Sequence, residues 1–71
     1  MYPVIYQELI ANELRWMLSY KASNGDLVYL TLESRAETNA RWEAARLLEI
    51  EIMAVSIGFK AINGMVVCPG S

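Results

Sequence analysis

The sequence has no histidine and a single cysteine, Cys68. Without histidine, the side chain that most often moves protons near neutrality is missing. With one thiol and no imidazole, the usual zinc-ligand spacings are missing too. A lone cysteine also excludes an intrachain disulfide and suits a reducing compartment. Basic residues are few, six against eight acidic ones, for a net charge of −2. They are scattered among acidic neighbours, so the chain lacks the clustered positive stripe that neutralises nucleic-acid phosphates. The acidic residues form no dense stripe either.

Long apolar runs are absent as well. The longest uninterrupted apolar or small stretch, Ile52 to Phe59, is far short of the ~20 residues a membrane span needs. Met1-Tyr2-Pro3 has no basic n-region and no small-residue cleavage site follows, so a cytoplasmic location is expected. Cys68-Pro69-Gly70-Ser71 has the frame of a prenylation box, but Pro and Gly stand where aliphatic residues belong.

What the chain does have is apolar residues: 55% of 71, against the ~45–50% usual in soluble domains. A chain this short buries only about 60% of its unfolded surface. The excess must lie partly on the outside, and exposed apolar patches mark interfaces. A partner is therefore expected, either a second copy or another protein, with no small-molecule substrate.

Leu14 to Tyr20 alternates, with Leu14, Trp16, Leu18 and Tyr20 on one face and Arg15, Met17, Ser19 and Lys21 on the other. Asp26 to Ser34 repeats the period of two that marks a half-buried strand. The register of this hairpin follows from its side chains. A two-residue Asn24-Gly25 turn would set Leu18 against Thr31 and Trp16 against Glu33. A three-residue loop, Ser23-Asn24-Gly25 with Gly25 left-handed, pairs Tyr20 with Val28, Leu18 with Leu30, Trp16 with Leu32 and Met17 with Thr31. The second register sorts both faces, and a one-residue slip would undo it.

Ser34-Arg35-Ala36-Glu37 reads as a capping box that starts a helix. Ala36, Ala40, Ala44, Leu47 and Leu48 make an apolar stripe whose small residues suit close packing on the Trp16/Leu18/Leu30 face. Gly58-Phe59 reads as a helix C-cap, so the main helix is expected from Arg35 to about Ile57. The rival reading ends it near Glu49 and starts a strand at Ile50. Beyond Gly58, Lys60-Ala61-Ile62 can be extended, Asn63-Gly64 turns, and Met65 to Cys68 reads as a final strand. Tyr2 to Ala11 reads as a short helix with Pro3 in its first turn, the alternative being an edge strand at Tyr2-Val4.

The expected fold is thus α+β in one domain. Residues 1–12 form an N-terminal segment, 14–34 an antiparallel hairpin, 35–57 the main helix packed on the sheet, and 59–68 a C-terminal strand region that pairs with the hairpin. In size and element order this β-β-α-β plan resembles small phage and mobile-element proteins, among them inhibitors of bacterial defence systems such as anti-CRISPR proteins. The resemblance is one of layout, with no motif residues behind it. It implies a role as a blocker of a host protein and carries over no functional positions.

No catalytic constellation stands out. Glu49 and Glu51 are two apart and diverge on a helix, Cys68 sits in a Val-Val-Cys-Pro run without a base, and neither Asn-Gly pair opens a helix as a phosphate loop does. No catalysis, cofactor or metal is expected. The informative residues are instead Trp42, Arg46, Ile50, Met53 and Ile57, an apolar stripe broken by arginine on the helix side away from the alanines. Trp, Met and Arg are types enriched at interface centres. The competing reading has Val4 to Ile10 fold over that stripe and bury it. A different class of function, a nucleic-acid-associated module, would need Arg15, Lys21, Arg41 and Arg46 to line up in the fold.

Overall fold

The computed structural model describes residues 2–60 and 66–67. Its elements in chain order are β1 (Val4–Ile10), β2 (Glu13–Lys21), β3 (Leu27–Thr31), α1 (Glu37–Leu48), a 3-10 turn (Ile52–Ala54), β4 (Ser56–Ile57), β5 (Phe59–Lys60) and β6 (Val66–Val67). The first four strands make one mixed sheet in the order β3-β2-β1-β4, and β5 pairs antiparallel with β6. The fold is α+β, with α1 across one face of the sheet.

The β2–β3 hairpin has the register that sorts its faces. Met17 pairs with Thr31, Leu18 with Leu30 and Tyr20 with Val28. The loop closes with the Ala22 amide donating to the Asp26 carbonyl at 2.8 Å and the Gly25 amide to the Ala22 carbonyl at 2.9 Å. Gly25 has φ 91°, the left-handed side that only glycine enters freely.

The N-terminal segment is a strand and not a helix. It is no edge strand either: β1 lies between β2, antiparallel, and β4, parallel. A two-residue turn at Ala11 and Asn12, with φ 51° and 67°, joins β1 to β2. Two positive φ values in a row give a hairpin turn whose twist matches the strands.

The main helix is shorter than its expected span of 35–57. It begins at Glu37, after Ala36, with no side-chain cap, so Ser34 does not form the capping box. It ends at Leu48 because Glu49 turns left-handed at φ 55°. The Ile50 amide then reaches back to the Ala45 carbonyl at 3.0 Å and the Glu49 amide to the Arg46 carbonyl at 3.3 Å, a Schellman closure made without glycine. The strand that completes the sheet is β4, joined to β1 by the Ser56 amide on the Pro3 carbonyl (3.0 Å) and the Gly58 amide on the Ile5 carbonyl (2.8 Å). The Asn63-Gly64 turn and Cys68 lie outside the described residues.

The main core unites Ile5, Trp16, Leu18 and Leu32 of the sheet side with Ala40, Ala44 and Ala45 of α1 and Val55, with Tyr20, Leu48, Ile52 and Ile57 packed at its rim. Small side chains on α1 let its backbone approach the sheet, where the Trp16 indole fills the gap and donates to the Arg35 carbonyl at 3.1 Å. On the opposite face Val4, Tyr6, Met17 and Ser19 are buried as well. The sheet centre is therefore covered on both sides, which the alternating pattern of β2 did not suggest for Met17 and Ser19. β5 lies against β1.

Candidate protein-interaction surface

The buried side of α1 is set by Ala40, Ala44, Ala45 and Leu48, so the expected stripe of Ala36, Ala40, Ala44, Leu47 and Leu48 is rotated from Leu47 toward Ala45. That small rotation turns Leu47 outward, to 55% exposure, beside Trp42 at 50%. Ser34, Asn39, Trp42, Glu43, Arg46 and Leu47 then line an open cleft along the outer side of α1. Leu47 is a member of the surface that its place in the alanine stripe concealed.

The five expected residues do not form one helical stripe, since the helix stops before Ile50. Trp42 and Arg46 are together on the cleft. Ile50 faces a different groove, with Tyr2, Pro3, Tyr20, Lys21 and Leu48. Met53 stands almost fully exposed on the 3-10 turn beside Arg41 and Ile52. Ile57 is in β4, packed against the core. The N-terminal segment does not cover Trp42, because Val4 to Ile10 are in the sheet.

One wall of the cleft is fixed by charge. The Glu43 carboxylate accepts from the Ser34 hydroxyl (2.8 Å), the Ser34 amide (2.9 Å) and the Glu33 amide (3.0 Å to Oε2). Burial pushes this carboxyl up, but the bonds from the Glu33 amide and from Ser34 outweigh it and hold it below its ordinary value. On the other side of the molecule, burial first and the Glu8 charge second push the Tyr6 phenol above its ordinary value.

The cations expected for a nucleic-acid module are not gathered into a row. Arg15 donates to the Leu32 carbonyl at 3.1 Å and Arg41 to the Val55 carbonyl at 3.2 Å. Lys21 ends β2, and Arg46 lies on the cleft with no second cation among its described lining residues. Among the described residues, no group of three or more His, Cys, Asp or Glu is placed to hold a metal, and no helix is long and apolar enough to cross a membrane. Comparison with known proteins gives no matching family model, no matching curated protein and no matching solved structure.

Proposed function

We propose that this chain is a non-catalytic protein-binding module that contacts its partner through the outer side of α1, centred on Trp42. The supporting observation is the half-exposed Trp42, set beside Leu47 and Arg46 on a helix side that no described segment covers. A large aromatic ring next to an arginine and a leucine offers the kind of anchor that carries most of the binding energy at an interface. Met53, though 86% exposed, lies off this surface on the 3-10 turn beside Arg41 and Ile52. Blocking a host protein, the role implied by the expected β-β-α-β layout, loses that support because β1 adds a first, central strand to the order.

The test is Trp42→Ala, compared with wild type for binding to a co-purifying protein and for thermal unfolding. Binding should weaken at least tenfold, or about 1.4 kcal/mol, while the unfolding midpoint stays close to that of wild type. Unchanged binding, or collapse of the fold, would reject Trp42 as a contact residue.

A further inference from the structure

The outer edge of β3 carries backbone groups that no strand among the described residues pairs. In an antiparallel ladder, alternate residues turn their backbone groups toward the partner strand and the others turn away. The Leu32 amide bonds the Trp16 carbonyl and the Ala22 amide supplies the Asp26 carbonyl, both at 2.8 Å. These bonds fix the alternation, so Val28 and Leu30 point their amides and carbonyls at β2. Leu27, Tyr29 and Thr31 point theirs outward, and β3 is the terminal strand of the sheet.

This free run is closed at both ends. The next outward amide on one side, Gly25, is turned back onto the Ala22 carbonyl. The next on the other side, Glu33, is held by the Glu43 carboxylate. What is left is a row of three donors and acceptors with Tyr29 at its centre. Edge strands are ordinarily protected by a charge, a proline or a bulge. Leu27-Val28-Tyr29-Leu30-Thr31 has none of them, and Leu27, Tyr29 and Leu30 are exposed beside the open backbone.

We propose that two copies of this chain join by antiparallel β3–β3 pairing about a two-fold axis through Tyr29, fusing their sheets into one. In that register Tyr29 meets Tyr29 of the second copy, and Leu27 meets Thr31. Every outward amide and carbonyl of the row finds a partner, whereas a shift by two residues leaves a position unpaired at each end. A two-fold contact requires a surface complementary to itself. The row meets this, because its middle residue is aromatic and no charge within it confronts its own copy. A foreign strand would have no need of such a centred, uncharged row, which is why a second copy is the occupant named. The contact is separate from the Trp42 surface.

The experiment measures mass in solution by light scattering for wild type, Tyr29→Lys, Tyr29→Glu and their equimolar mixture. Wild type should be dimeric at about 0.1 mM, where even a micromolar Kd fills the complex. Each variant alone should weaken self-association at least tenfold, since like charges meet on the axis, and the mixture should restore a heterodimer. Trp42→Ala should leave the dimer intact, so this result and the test of the α1 surface fail independently. A monomeric wild type, dimers that survive both Tyr29 changes, or a mixture that stays monomeric would each overturn the proposal. If the Tyr29 variants do not fold, amide exchange in wild type decides. The Leu27, Tyr29 and Thr31 amides should gain protection as concentration rises, and fast exchange at all concentrations would overturn the pairing.

Discussion

The Ser34 hydroxyl donates to Oε1 of Glu43 across 2.8 Å, and the same carboxylate takes the amides of Ser34 and Glu33. Ser34 is thus bound to a residue in the body of α1 rather than to the start of the helix. The pair ties the chain leaving β3 to the helix that crosses the sheet, and it fixes one wall of the cleft beside Trp42.

The Glu43 bonds make stability depend on acidity. Its folded-state value is lowered, so the stabilisation is complete above the ordinary carboxylate value of 4.5 and is lost as pH falls through the lower folded value. Urea unfolding of wild type should weaken across that acidic window, and Glu43→Gln should show a shallower decline. Matching pH profiles for the two proteins would remove Glu43 from this role.

The same pair predicts a specific coupling. Ser34→Ala should cost about 1 kcal/mol, whereas Glu37→Ala, which breaks no cap, should cost little. In a double-mutant cycle the Ser34 and Glu43 changes should be non-additive by about 0.5 kcal/mol or more. Additive effects would show that the hydroxyl and the carboxylate do not act together.

Gly25 gives a test of backbone conformation alone. A Cβ built there meets nothing within 4 Å, so Gly25→Ala has no steric neighbour to displace. The left-handed φ should still cost about 1 kcal/mol. Chemical denaturation reads this directly, and a change near zero would mean the loop relaxes into another turn.

The β1–β2 turn runs the other way. Ala11 has φ 51° and no special tolerance for it, while Asn occupies this position readily in two-residue hairpins. Ala11→Asn should raise stability by about 0.5–1 kcal/mol, measured as a higher denaturation midpoint. A lower midpoint would show that the alanine side chain has a packing role.

The legible parts of the sequence were those where local pattern and environment agree. β2 and β3 alternate, and one register of their loop sorts both faces, so pairing down to Met17–Thr31 could be read off. β1 could not. Val4, Ile5 and Tyr6 are all buried because the strand is central and covered on both faces, and consecutive apolar residues do not distinguish strand from helix. Its turn was hidden too, since Ala11-Asn12 carries no glycine. The preferred helix end at Ile57 fails and the rival end near Glu49 holds, because Glu49 takes the left-handed position that glycine usually marks. That single residue divides the expected surface, leaving Trp42 and Arg46 on α1 and sending Ile50, Met53 and Ile57 elsewhere.

The parallel contact of β1 with β4 also has a bearing on how the protein is made. Val4 and Ile5 are translated early, yet their neighbours Ser56 and Ile57 come late. While the chain is still emerging, β1 has only β2 beside it, and its far edge is open along two of the most apolar positions in the molecule. Long-range pairing of this kind forms slowly, and an unpaired strand edge invites contact with other nascent chains. A chain lacking Ser56 and Ile57 would therefore leave this edge of β1 without its parallel partner. Docking of β4 is what closes that far edge of the first strand.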